Sequence, residues 1–218
     1  MKKKFKKLKI CGIKDPKILN FLIKKNIDYF GLIFFKKSPR YVNITKAYKL
    51  SKIANKKKIK TVGVFVNMRL DNLQKHIDKL NLKFIQLHGR ESNSYIKKIK
   101  KKNKNIKVIK VIKLNNLKDA INLNNFNEAD FYLFDYKGRR SNELPGGNAK
   151  SFNWKILEKI TINKEWFLSG GINKYNIKNA VNIKSIYGLD ISSGVESKPG
   201  IKNINKINEI IEIIRKIK

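Results

Sequence analysis

The chain has 218 residues, 41% of them hydrophobic, a single cysteine and a formal net charge of +35. That much apolar material supports one substantial core, so a single domain over residues 1–218 is expected. The lone Cys11 excludes an internal disulfide or a cysteine-rich zinc site and fits the reduced cytoplasm, while no apolar run of about 18 residues marks a membrane span and the early lysines interrupt any signal-peptide core.

Residues 8–13 read as a first strand, and Asp15-Pro16 starts a helix as an N-cap followed by proline in the first turn. Ile18, Leu19, Leu22 and Ile23 share one face of that helix. Residues 29–35, YFGLIFF, form a nearly continuous apolar run, the pattern of a parallel strand buried on both faces. Helix 45–57, strand 61–66, helix 69–80 and strand 84–87 follow, then helix 92–102, strand 107–114, helix 117–123 and strand 131–134. A polar loop over 136–151, with Arg139-Arg140 in its basic part 137–145, precedes a helix at 154–160. Strand 166–168, a short helix 177–181, strand 186–191 and an amphipathic helix 204–217 complete the chain. Strands alternating with helices demand a parallel sheet with right-handed crossovers. Eight such units favour an α/β fold of the (β/α)8 TIM-barrel type, with eight parallel strands, over an open doubly wound sheet.

The charge raises the question of nucleic acid. Of 51 basic residues only Arg40, Arg69, Arg90, Arg139, Arg140 and Arg215 are arginine, and asparagine and isoleucine are enriched beside the lysines. All three abundant amino acids have A/T-rich codons, so the base composition of an AT-rich genome accounts for the charge. No specific nucleic-acid partner and no membrane are expected; non-specific adhesion to anions at low salt is.

Two strands near the end of the chain each break into serine and glycine, at Ser169-Gly170-Gly171 and at Ser192-Ser193-Gly194. Such breaks free backbone N–H groups to converge on an anion, and the pair matches the phosphate site that barrels build after strands seven and eight.

Further motifs recur in order: Lys9-Ile10-Cys11-Gly12, Gly31 with Ser38-Pro39-Arg40-Tyr41-Val42, Gly63 to Asn67, Gln86-Leu87-His88-Gly89 and Leu133-Phe134-Asp135. Gly146-Gly147 ahead of Phe152 and Trp154, Leu168 to Ile172, and residues 188–200 complete the series. Together they span nearly the whole chain, and the sequence resembles the phosphoribosylanthranilate isomerases of tryptophan biosynthesis. The resemblance implies an Amadori rearrangement of a phosphorylated sugar–anthranilate substrate, with no metal and no cofactor, by a monomer or weak homodimer. It makes Cys11 the general base and Asp135 the general acid, and assigns Arg40 to the anthranilate carboxylate. His88 and Asp190 would contact substrate, Asp190 through a ribose hydroxyl, while Gly170, Gly171, Ser192, Ser193 and Gly194 would hold the phosphate.

The residues support these roles in part. A thiolate is a competent base where nearby cations lower its pKa, Asp135 would stay protonated beside apolar neighbours such as Phe134, and an arginine fork suits a carboxylate. His88 could equally be structural, and Asp190 could cap a turn. The sequence departs from the family pattern at Asn148, Ala149 and Asn153. The histidine-pathway sugar isomerase runs the same rearrangement with aspartates at both catalytic positions, and Cys11 argues against it.

Overall fold

The computed structural model describes residues 7–121, 123–138, 146 and 150–217. Most of the basic stretch 137–145 lies outside the described residues, as do Gly147, Asn148 and Ala149.

Eight strands close into an all-parallel barrel in sequential order. They are β1 (Lys7–Cys11), β2 (Tyr29–Ile33), β3 (Lys60–Phe65), β4 (Phe84–Leu87), β5 (Lys107–Leu114), β6 (Phe131–Tyr136), β7 (Trp166–Leu168) and β8 (Gly188–Ile191). The last strand returns to the first, with Lys9 opposite Asp190 and Ile10 opposite Ile191. Among the described residues five α-helices lie between strands: α1 (Pro16–Lys24), α2 (Ile44–Asn55), α3 (Leu70–Leu80), α4 (Asn93–Lys102) and α5 (Ile177–Asn182); α6 (Ile204–Lys216) follows the last. Side chains that satisfy orphan N–H groups start several of them, Asp15 for α1, Asn43 for α2, Ser92 for α4 and Asn203 for α6.

Alternation along each strand sorts the core into two layers. One face packs the strands against the helices, and the other fills the barrel with Tyr29, Val62, Ile109, Val111, Leu133 and Phe167. The floor is aromatic: Tyr29 meets Phe84 and Phe167 edge to face, and the Tyr29 and Tyr187 hydroxyls lie 2.9 Å apart. Residues filling the barrel's lower half leave its upper, C-terminal end for polar groups.

Three expectations are corrected. The helices expected at 117–123 and 154–160 are 3-10 turns, Leu117–Ala120 with Leu123–Phe126, and Trp154–Lys159. The first region is crowded with asparagines, whose side chains compete for backbone groups and disfavour a regular helix. The sixth strand runs on to Tyr136, so Asp135 sits within it rather than after it. A feature absent from the sequence reading is a small antiparallel hairpin, β9 (Glu196–Lys198) with β10 (Ile201–Lys202), after β8. Pro199-Gly200 forms its turn, and Gly200 adopts a φ of +82°, which glycine takes without strain.

Candidate active site

Two cavities meet at the C-terminal end of the barrel. The larger, about 540 Å³, has an apolar wall of Ile33, Phe35, Val64 and Val66, with Cys11, Arg40, His88 and Asp135 among its polar lining. The smaller, about 350 Å³, is lined by Gly170, Gly171, Ser192, Ser193 and Lys150. Asp135, Ser169, Asp190 and Ser192 border both.

Cys11 ends β1 and is buried. It pairs in register with Gly31, where a Cβ would stand 2.5 Å from the Cys11 sulfur, so the glycine in the β2 run makes room for the thiol. Burial pushes the thiol pKa up, and Asp190 adds to this; Lys9 and Lys202 pull the other way but do not prevail. The cations expected around the thiol are therefore present, but desolvation outweighs them, and the resting group is a thiol.

Asp135 has polar company. Tyr136 N–H donates to Oδ1 at 2.9 Å, and His88 Nε2 lies 3.1 Å from Oδ2. Phe134, expected to shield it, points to the helix-facing layer and packs edge to face on Trp166. Neighbouring residues of a strand face opposite ways, so an adjacent phenylalanine could not have covered the carboxyl.

Beneath these groups lies a buried polar layer. Lys9, 0% exposed, donates from Nζ to Asp190 Oδ2 and Gln86 Oε1, each at 2.8 Å. Burial works against the Lys9 ammonium, yet the Asp190 carboxylate is foremost among the groups that outweigh it, and the pKa stands above the ordinary value. Asp190 Oδ1 is buried with no hydrogen-bond partner among the described residues, and its side chain borders both cavities.

Arg40 lies in the cleft with its fork engaged. Its Nε and Nη2 donate to the two oxygens of Glu196, both at 2.8 Å, and both side chains are buried. Lys202 Nζ donates to Glu196 Oε1 at 2.6 Å and to Ser192 O at 2.9 Å, and Ser192 Oγ donates to the Cys11 carbonyl at 3.1 Å. Burial lowers Lys202 to a pKa of about 8, with Glu196 opposing. The hairpin thus places one carboxylate between two cations.

The glycines divide. Gly170 and Gly171 have φ of +86° and +65° and line the smaller cavity, and two asparagine amides, from Asn173 and Asn176, hold the Gly171 carbonyl at 3.0 Å. Gly194 does not line it: a Cβ there would stand 1.9 Å from the Ile172 carbonyl oxygen. The absence of a side chain at Gly194 is thus required for packing of the β8 turn on the β7 loop.

Sequence reasoning brought Cys11, Asp135, Arg40, His88, Asp190 and the two Ser/Gly breaks to this rim, and missed the roles of Lys9, Gln86, Glu196 and Lys202. Lys9 had a usable signal: a charge between the buried Leu8 and Ile10 must point to the barrel interior.

A closed (β/α)8 barrel whose C-terminal rim gathers a thiol, a carboxyl and a buried arginine defines an enzyme of the TIM-barrel class, acting on a small molecule. Comparison with known proteins narrows this. Residues 8–213 match the family model described as N-(5'phosphoribosyl)anthranilate (PRA) isomerase. The chain is 37% identical over 213 residues to N-(5'-phosphoribosyl)anthranilate isomerase of Rhizobium johnstonii, covering 96% of this chain and 94% of that one. It is similar to the crystal structure of the Thermotoga maritima phosphoribosyl anthranilate isomerase, with TM-score 0.84, 29% identity and coverage of 97% and 99%. A phosphoribosyl anthranilate isomerase solved in complex with reduced 1-(o-carboxyphenylamino)-1-deoxyribulose 5-phosphate superposes with TM-score 0.82 at 29% identity, covering 97% and 99%. The chain belongs to the phosphoribosylanthranilate isomerase family. Among the described residues no helix is long and apolar enough to cross a membrane.

Proposed function

We propose that this chain isomerises N-(5-phosphoribosyl)anthranilate to 1-(2-carboxyphenylamino)-1-deoxyribulose 5-phosphate by general acid–base catalysis, in the tryptophan pathway of the cytoplasm. The observation that carries this reading is that Cys11 and Asp135 line one cleft, which has an apolar wall and Arg40 on one side and adjoins the Ser/Gly cavity on the other. The anthranilate ring suits the wall of Ile33, Phe35, Val64 and Val66, and the phosphate suits the turns at Gly170-Gly171 and Ser192-Ser193. Arg40 takes the anthranilate carboxylate by exchanging partners at the rim. Asp190 Oδ1 accepts a ribose hydroxyl, which gives its unpaired oxygen a donor.

In the reaction Asp135 donates a proton to the ribose ring oxygen as the C1–O bond breaks, and the nitrogen lone pair forms the Schiff base. Cys11, as thiolate, removes the C2 proton, and the C–H electrons flow toward nitrogen to give the enolamine. The enolamine becomes the ketone when its C2 hydroxyl gives up a proton and C1 gains one. The sum is an isomerisation that consumes no oxidant or reductant.

The test is the loss of anthranilate-type fluorescence when purified protein meets phosphoribosylanthranilate. Cys11→Ala and Asp135→Asn should each lower kcat by about 10²- to 10⁴-fold while leaving the fold intact. Turnover equal to wild type in either variant removes that residue from the mechanism.

A further inference from the structure

A chain of buried polar groups leads to Asp135. Lys9 Nζ donates to Gln86 Oε1 at 2.8 Å, Gln86 Nε2 lies 3.0 Å from His88 Nδ1, and His88 Nε2 lies 3.1 Å from Asp135 Oδ2. The first group is an ammonium, which only donates, and this fixes every later direction. Because Lys9 claims the amide oxygen, the nitrogen of Gln86 faces His88 and donates to Nδ1. Nδ1 therefore accepts, the ring hydrogen sits on Nε2, and Nε2 donates to Asp135.

We propose that Gln86 is a positioning residue of the isomerisation: it locks His88 into the Nε2–H tautomer, so that the imidazole receives the carboxylate left when Asp135 releases its proton. This rests on the reading of Asp135 as the acid. Together with the Tyr136 N–H, His88 then supplies a second fixed donor to the oxygens on which charge develops. The groups around this chain are Lys9 and Asp190 below it, Asp135 across from it, and Lys113 of β5, whose ammonium is disfavoured by burial and favoured by Asp135. Gly146 lies over the contact, where a Cβ would stand 2.7 Å from His88 Nε2 and 3.0 Å from Asp135 Oδ2.

The protein carries its own control. It has 2 histidines, and His76 Nδ1 lies 2.7 Å from the Asn72 carbonyl oxygen, which only accepts, so His76 holds a hydrogen on Nδ1. Nitrogen-15 NMR of histidine-labelled protein at about pH 8, where free imidazole is neutral, should show the two rings in opposite tautomers, with His76→Gln giving the assignment. In Gln86→Glu the new carboxylate offers no donor, so His88 should gain a hydrogen on Nδ1. Its kcat should fall on the order of 10²-fold with KM changed by less than about threefold. Gln86→Met, which also removes the donor but adds no charge, should lower kcat in the same direction and serves if the glutamate variant does not fold. A hydrogen on His88 Nδ1 in the wild type overturns the proposal, and so does a Gln86 variant that alters the ring nitrogen signals yet turns over normally. Full activity in Asp135→Asn would instead sink the assignment of the acid, while the tautomer, read without turnover, would stand.

Discussion

Glu196→Gln tests how the buried carboxylate between Arg40 and Lys202 holds the rim together. The substitution keeps the shape but removes the charge that receives two hydrogen bonds from Arg40 and one from Lys202. Removing one partner of a buried ion pair costs about 3–5 kcal/mol, chiefly because the other charge is left uncompensated. Here the two cations respond differently. Lys202, already lowered to a pKa of about 8, would release its proton at neutral pH, whereas Arg40 cannot. Because only Arg40 keeps a charge that Glu196 no longer balances, the expected loss lies near the lower end, about 3 kcal/mol. For a chain of this size each kcal/mol shifts Tm by about 2–4 °C, so Tm should drop by roughly 6–12 °C. The pH dependence adds a signature. Burial pushes the Glu196 carboxyl up, but Arg40 and Lys202 overcome it and hold the pKa below the ordinary glutamate value. A depressed folded-state pKa contributes stability that is present above the unfolded value and lost as pH falls through the folded one. The gap between wild type and Glu196→Gln should therefore shrink on acidification below about pH 4. Urea midpoints across pH 3 to 7 at fixed ionic strength measure it. No gap at neutral pH, or a gap that still widens below about pH 4, would refute the reasoning.

Because burial raises the Cys11 thiol pKa, the thiolate fraction at neutral pH is small and should grow about tenfold per pH unit; kcat should rise with pH above 7, and a flat profile there would remove the thiolate from the slow step. The glycines should also separate by mechanism. Gly194→Ala meets the Ile172 carbonyl and should destabilise the fold, while Gly171→Ala, at positive φ on the cavity wall, should weaken the protection that phosphate gives against heat beyond that of chloride at equal ionic strength. A Gly194→Ala protein as stable as wild type, or undiminished phosphate-specific protection in Gly171→Ala, would count against these assignments.

The barrel was legible because its strands are apolar runs bounded by turn residues, and each run sits at the spacing a parallel crossover needs. Cys11, Asp135 and Arg40 were legible because motif and rim position coincide. Directions inside the barrel were not. Phe134 was read as the neighbour of Asp135, although adjacency along a strand puts two side chains on opposite faces. The close carbonyl of Ile172 that forbids a side chain at Gly194 belongs to another loop, so the Ser/Gly pattern could not show it. The partner of Arg40 lay 156 residues away, beyond the reach of any local pattern. Pro199-Gly200 did carry a turn signal, but two short strands on either side of it are too brief to show alternation.

The contact between Lys9 and Asp190 joins residues 181 positions apart and lies at the seam where β8 closes on β1. Until the last strand docks, the ammonium of Lys9 has no anion beside it in the barrel, so a partly assembled chain gains little by drying out its upper interior. Folding order and the appearance of the site are thereby linked. Contacts this distant in sequence form late, since their loop-closure entropy must be overcome first. The substrate cleft should thus be among the last parts of the molecule to acquire structure, and among the first to open when the seam between the two ends of the chain separates.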